Sequence, residues 1–275
     1  VRIGFFSKEV MVIVVTNDEK LPGLEELTTK LRLEIGKWTS DVDDEKKGHV
    51  DQSDDNNNFS LSSLWINVNN KRSNVVMEGK LRLLYGQEYI NETILGIKYR
   101  ISPKAFFQVN PLQTISLYKE VLRMADLKKT DTVLDLYCGT GSITLLLAAN
   151  ASFVRGVEIV EEAISDAWQN AEINDVKNVE FYVAAAEEWL SEYIAGGGNA
   201  DAAVIDPPRK GCDIGLINAL LESKISKLIY VSCNPATLVR DLVNLSSCYR
   251  VISVRPVDMF PHSDSIECVC RLERI

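Results

Sequence analysis

Histidine is scarce in this 275-residue chain, with only His49 and His262, and none of the six cysteines (138, 212, 233, 248, 268 and 270) forms a Cys-x-x-Cys pair. Zinc and iron–sulfur sites draw on such ligands, so no bound metal is expected. Only Cys268 and Cys270 are close in sequence, which is not the framework of a disulfide-stapled domain. An intracellular, reducing compartment is expected, with no organelle specified. Long apolar runs are lacking too. Val10 to Val15 and Leu145 to Ala149 fall far short of the roughly 20 residues of a bilayer span, so a soluble protein without membrane contact is expected. The sequence starts at Val1 with neither a basic-then-apolar leader nor an Arg- and Ser-rich transit segment, which reads as a processed or truncated piece. At 46% hydrophobic and 25% charged residues, the chain can build one large or two modest domains, excluding a disordered or fibrous protein.

Positive charge is in deficit overall. The net charge of −9, taken alone, argues against a nucleic-acid partner. Much of that deficit lies in one place, because Asp41 to Asn58 carries seven acids and two lysines with almost nothing apolar, the composition of a solvated, mobile insertion. Outside it, residues 1–105 hold 13 basic against 9 acidic residues. Modest attraction to phosphate is therefore compatible with the front of the chain.

The first hundred residues favour strands. Val1 to Phe6 and Val10 to Thr16, separated by Ser7-Lys8-Glu9, read as a hairpin. Leu24 to Ile35 places leucines 24, 27 and 31 with Ile35 on one helical face, and Ser63 to Asn69, Lys80 to Tyr85 and Thr93 to Ile101 read as strands. Residues 1–105 thus form a small α+β domain, with the insertion at 41–58. From 106 to 275 the pattern becomes regular strand–helix alternation: helix Pro111 to Ala125, strand Thr132 to Tyr137, helix Gly141 to Asn150, strand Phe153 to Glu158, helix Glu161 to Asn174. Strands near Val179 to Val183, Ala202 to Ile205 and Lys227 to Ser232 follow. Such alternation predicts a mainly parallel sheet covered on both faces, closed by an antiparallel pair, Tyr249 to Val257 and Ile266 to Leu272.

Four segments carry chemistry. In the first, the apolar strand containing Asp135 runs through Tyr137 and Cys138 into Gly139-Thr140-Gly141, a turn that opens a helix. Glycines there let a ligand approach the backbone, and Glu158, at the end of the next strand, can accept both hydroxyls of a ribose. The third glycine of a dinucleotide fingerprint is replaced by Thr144, which disfavours NAD and leaves S-adenosylmethionine, a nucleoside cofactor without pyrophosphate. A plain strand-to-helix turn is the bland alternative. In the second, Asp206-Pro207-Pro208-Arg209 ends an apolar strand, and two prolines fix the backbone that aims Asp206 into the same crevice; a rigid turn with a capping aspartate would look alike. The third is Ser232 to Thr237, where Cys233 sits just ahead of a helix start that favours its thiolate. The other five cysteines read as small hydrophobes. In the fourth, Asp258 to Glu267, the glutamate opens the last strand, where partial burial would raise its pKa toward that of a useful base. His262 is a rival base, although a loop histidine is more often solvent-facing.

Together these segments resemble the RNA uracil-C5 methyltransferases, S-adenosylmethionine-dependent enzymes that make 5-methyluridine in tRNA and rRNA. Phe106-Phe107-Gln108-Val109-Asn110-Pro111 is similar to the family's FxQxN segment, and Ser232 to Asp241 reads SCNPATLxRD, which is highly specific. The resemblance spans about Ser102 to the end, and the front portion is only loosely similar to the family's central domain. It implies a Rossmann-like class I methyltransferase domain in an α/β fold, preceded by the smaller α+β domain, which would contact RNA. It also implies that Gln108, the Tyr137 region, Glu158 and Asp206 contact the cofactor or the target base, along the turn of Asp135, Gly139 and Gly141. Cys233 would be the nucleophile and Glu267 the base that removes the C5 proton. The partner would be an RNA with a flipped or single-stranded uridine, and the protein a monomer. The RNA-binding barrel and iron–sulfur cluster of some members have no counterpart in the sequence.

Two other readings compete. Cytosine-C5 methyltransferases should carry a Pro-Cys or Thr-Cys nucleophile, and Asp206-Pro207-Pro208 has none; amino-group methyltransferases would place an aromatic residue where Arg209 stands. From another class, a non-catalytic RNA-binding scaffold could keep the fold, but it leaves Cys233 and Glu267 unexplained.

Overall fold

A computed structural model of the protein describes residues 1–39, 58–70 and 79–275. Apart from Asn58, the acidic segment lies outside them. The chain forms two compact units, Val1–Val109 and Asn110–Ile275.

In the first unit, β1 (Arg2–Gly4), β2 (Glu9–Thr16), β3 (Ser60–Val68) and β4 (Lys80–Gly86) form a sheet in that order. β1 and β2 make the expected hairpin, whereas β2 and β3 pair in parallel, with helix α1 (Leu24–Ile35) in the connection. Side chains alternate across a strand, and β2 shows the consequence. Val10 joins Ile35, Phe59 and Leu61 on one face, while Met11 joins Ile90, Ile101 and Ala105 on the other.

Two expectations fail here. Thr93 to Ile101 is not one strand but the end of β5 (Ile90–Ile94), a turn and β6 (Ile97–Ile101), which pair as a hairpin. The alternating pattern runs straight through Leu95 and Gly96, yet both have positive φ (51° and 83°), as a two-residue type I′ turn requires. Likewise, β1 stops at Gly4 rather than Phe6, because Glu92 captures the backbone N–H groups of Phe5 (2.5 Å) and Phe6 (3.0 Å) along with that of Thr93 (2.8 Å). This carboxyl is fully buried, and burial pushes its pKa from 4.5 up to about 7, against the lowering effect of those N–H groups.

The second unit contains helix α2 (Pro111–Ala125) and a seven-stranded sheet. Its elements follow in alternation: β7 (Thr132–Leu136), α3 (Ser142–Ala148), β8 (Phe153–Glu158), α4 (Glu161–Ile173), β9 (Val179–Val183), α5 (Ala186–Ala195), β10 (Ala202–Ile205), α6 (Ile214–Glu222), β11 (Lys227–Ser232), α7 (Pro235–Leu245), β12 (Tyr249–Val257) and β13 (Glu267–Arg274). The sheet order is β12-β13-β11-β10-β7-β8-β9. β13 runs antiparallel to both its neighbours, and the other pairings are parallel, so the mainly parallel sheet and the reversed final pair are as expected. All four residues of β10 are buried, as befits a central strand covered on both faces. From β7 the chain winds outward to β8 and β9, then returns to β7's other side as β10. That reversal opens a crevice at the carboxyl ends of β7 and β10. No helix among the described residues is long and apolar enough to cross a membrane.

Because the folded first unit holds the Glu92 proton more tightly than the unfolded chain does, this group's contribution to stability is complete below pH 4.5 and is lost as the pH rises through about 7; the difference is on the order of 3 kcal/mol. Glu92→Gln cannot titrate and is expected to flatten the change in thermal midpoint between pH 5 and pH 8. An unaltered pH dependence would assign the effect to another group.

Candidate active site at the carboxyl ends of the central strands

The crevice is assembled from strand ends. Asp206 follows the last residue of β10, and its N–H donates to the Leu136 carbonyl at the end of β7 (3.3 Å). Cys233 follows the last residue of β11. The β11–β13 register pairs Ser232 with Cys268, so one step further along this antiparallel ladder Glu267 stands at the position opposite Cys233. Asn234 then starts α7: its side chain accepts from Ala236 N–H (3.1 Å) and Pro235 takes the first helical position. Both choices satisfy a helix start, and they fix where the strand releases Cys233.

The electrostatics of the group are dominated by desolvation. Asp206 is half-buried, and its carboxyl is pushed from 3.8 up to about 8, first by burial and then by Glu267 and Asp135. Glu267, only 7% exposed, is raised by burial and partly held down by Arg209, in line with the sequence expectation. Cys233 is a correction. A helix start was expected to favour its thiolate, but burial, Glu267 and Asp206 raise its pKa, in that order, and outweigh its own backbone N–H and the Arg209 charge. Cys233 precedes the cap, and Asn234 already occupies one of the helix's free N–H groups.

The glycine turn adds the other half of the crevice. Glu158 Oε2 accepts from Gly139 N–H (3.2 Å) and Oε1 from Val160 N–H (3.0 Å), which orients this carboxylate at the end of β8. The two glycines differ in purpose. A Cβ on Gly139 would meet no atom within 4 Å, whereas one on Gly141 would press on Phe181 at 3.1 Å and Ala167 at 3.2 Å. Gly139 therefore gives access from the open side, and Gly141 allows packing beneath. Asp135 is buried, accepts from the Thr144 hydroxyl (2.5 Å) and has its other oxygen without a partner among the described residues; burial raises its pKa to about 7.

Asp135, Gly139, Glu158, Asp206, Cys233 and Glu267 are thus brought to one end of the sheet. Tyr137 departs from the expectation in part: its backbone, at φ 69°, shapes the turn, but its ring packs against the core. Gln108 belongs to the first unit. His262 is exposed. Asn110, quoted in the FxQxN segment without a role, caps α2 by accepting from Gln113 N–H (3.2 Å) and donates to the Met259 carbonyl (2.9 Å), anchoring the loop that leads to Glu267. Its place before Pro111 was the available signal. Among the described residues no three His, Cys, Asp or Glu side chains gather as a metal site.

This fold is the Rossmann-like class I methyltransferase fold. An S-adenosylmethionine-dependent methyltransferase from Agrobacterium tumefaciens superposes with a TM-score of 0.57 over 78% of this chain and 77% of that one, at 15% identity, a likeness of fold alone. The model of the tRNA (uracil-5-)-methyltransferase family matches residues 42–275, and the chain belongs to that family, as its motifs suggested. It is 44% identical over 273 residues to an uncharacterized RNA methyltransferase of Halalkalibacterium halodurans, covering 99% of this chain and 55% of that protein. It is 41% identical to one from Oceanobacillus iheyensis, covering 99% and 54%. The chain therefore spans about half the length of these relatives. Among solved structures, the Pyrococcus abyssi tRNA (uracil-54, C5)-methyltransferase in complex with S-adenosyl-L-homocysteine is 33% identical, with a TM-score of 0.67 over 82% of this chain and 54% of that one.

Alkylation of Cys233 by iodoacetamide, followed at the peptide level against pH, should give an apparent pKa above that of an ordinary thiol. Glu267→Gln removes a negative neighbour and should lower it; Arg209→Gln removes a positive one and should raise it. A wild-type value below about 8, on a scale where a free cysteine titrates near 8.5, would refute this electrostatic account.

Proposed function

We propose that this protein transfers a methyl group from S-adenosylmethionine to C5 of a uridine in tRNA or rRNA, through a covalent bond between Cys233 and C6 of the base. The observation that carries this reading is the register that sets Glu267 opposite Cys233, beside Asp206, at the crevice where the glycine turn also ends. Family membership and the Pyrococcus abyssi neighbour support it.

The donor set fits this cofactor better than a dinucleotide. Glu158 brings a carboxylate to the crevice, which suits a cationic sulfonium and repels a pyrophosphate. Glu158, already oriented by two N–H groups, retains lone pairs for ribose hydroxyls, and the open side of Gly139 lets a flat ring approach the backbone. When bound, S-adenosylmethionine supplies an electrophilic methyl carbon, matched to the carbon nucleophile that Cys233 generates.

Uracil C5 is too weakly nucleophilic to react unaided. The Cys233 thiolate adds to C6, forming a C–S bond and moving the electron pair of the C5–C6 double bond toward C5 and O4. Asp206, which carries a proton up to about pH 8, can donate a hydrogen bond to a base oxygen as charge develops there. Once C5 holds the methyl group, the Glu267 carboxylate takes the C5 proton, the double bond re-forms and the Cys233 sulfur leaves. Burial raises the basicity of Glu267 for this step, and the Arg209 charge opposes that rise. Both faces of the ring must be reached, so the uridine has to leave its stack, at a cost of a few kcal/mol.

Cys233→Ala should abolish 5-methyluridine formation and any protein–RNA adduct; turnover by this variant would overturn the assignment. Glu267→Gln should form the adduct but resolve it slowly, leaving a retarded band on a denaturing gel, and its absence would remove Glu267 from the role of base. Glu158→Ala should weaken S-adenosylmethionine binding at least tenfold in calorimetric titration, and unchanged affinity would place the cofactor elsewhere.

A further inference from the structure

α7 carries a polar stripe that the steps above do not use. Asn234, Thr237, Arg240 and Asp241 share one side of its first two turns, being spaced three, three and one apart, and each reaches the backbone of Arg209–Cys212. Asn234 Nδ2 and Thr237 Oγ1 both donate to the Arg209 carbonyl at 3.2 Å. Arg240 Nη2 donates to the Lys210 carbonyl (2.9 Å), and Asp241 Oδ2 accepts from Cys212 N–H (2.8 Å). The loop that continues from Asp206-Pro207-Pro208 is therefore tied down at three of its four residues.

The fourth, Gly211, permits the contact. A Cβ there would lie 2.4 Å from Arg240 Nη2 and 2.6 Å from Asp241 Oδ2, and its φ is 79°. Asp241 is 1% exposed. Oδ1 accepts from Arg240 Nε (2.9 Å), and Oδ2 accepts also from the hydroxyl of the buried Tyr230 (2.7 Å), three residues before Cys233 on the same strand end. An ion pair whose cation is exposed, as Arg240 is here, contributes little to net stability. What it does supply is position.

The residue positioned is Arg209. Its carbonyl accepts from Asn234, the residue next to Cys233, its side chain is exposed, and its charge acts on the thiol in the sense opposite to Glu267 and Asp206. We propose that Asp241 and Arg240, with Thr237, are positioning residues that lock the Arg209–Cys212 loop onto α7 and so hold the Arg209 charge beside Cys233 and Glu267. The catalytic meaning of this clamp rests on the methyltransferase reading, but its effect on the thiol does not.

The test combines pH-dependent alkylation of Cys233 with methylation of RNA, on the whole protein. Asp241→Asn and Gly211→Ala should raise the apparent Cys233 pKa in the same direction as Arg209→Gln, and either change combined with Arg209→Gln should add nothing further, since both act through one charge. In methylation assays kcat should fall at least tenfold with KM for RNA within about threefold. Thr237→Val removes a single hydroxyl tether, folds more safely and should give a smaller shift of the same sign. Should folded Asp241→Asn and Thr237→Val keep the wild-type Cys233 titration, losing only thermal stability, the clamp is merely structural and the proposal falls, while wild-type methylation still supports the parent reading. Should the titrations shift while the wild-type protein makes no 5-methyluridine, the clamp stands and the methyltransferase reading fails.

Discussion

The reversal of β13 within an otherwise parallel sheet is the constraint on which the site depends, because register then decides which residues meet. The antiparallel pairing with β11 runs from Lys227–Glu273 to Ser232–Cys268. It delivers the start of β13 to the end of β11. A parallel β13 would carry Glu267 to the opposite edge, roughly 20 Å away at 3.3 Å per residue. The connection that makes the reversal possible is itself held, since Asn110 at the head of α2 donates to the Met259 carbonyl within the preceding loop.

Electrostatics follow from that placement. Three carboxyl groups, Asp135, Asp206 and Glu267, act on one another or on Cys233 at the strand ends, each raised first by burial. Crowding like charges disfavours ionisation of all of them, yet the proposed chemistry needs an ionised sulfur and an ionised Glu267. Arg209 is the group that acts in the required direction on both. The site is thus poised by a balance of opposed charges rather than by a helix dipole.

Much of this is legible in the sequence. Strand–helix alternation located β8, β9, β10, β11 and β12, since each is an apolar run bounded by helical periodicity or turn residues. Asp206 and Cys233 stood out because chemistry-bearing residues follow apolar strands at the carboxyl end of a parallel sheet. What escaped notice depends on contacts distant in sequence. The β5–β6 turn hides inside a pattern of period two, Phe5 and Phe6 leave their strand for a carboxylate more than eighty residues away, and the parallel pairing of β2 with β3 is settled by where α1 packs. The ionisation of Cys233 could not be read from its place before a helix, because the groups that raise it arrive from β10 and β13.

The buried and half-buried carboxyl groups also separate by how completely the chain satisfies them. Glu92 and Asp241 direct both oxygens to N–H or O–H groups of the protein itself. Asp135 leaves one buried oxygen without a partner among the described residues, whereas Asp206 and Glu267 hold no oxygen that is both buried and unpaired. Desolvating a carboxyl group without giving it a donor costs free energy that folding alone does not require. In Glu92 and Asp241 that cost is offset by fixing a turn and a loop. In Asp135 it is retained, at the carboxyl end of β7 where the crevice opens. By this measure hydrogen bonding tells Glu92 and Asp241, which fix a turn and a loop, from Asp135, although burial raises the pKa of Glu92 and of Asp135 alike.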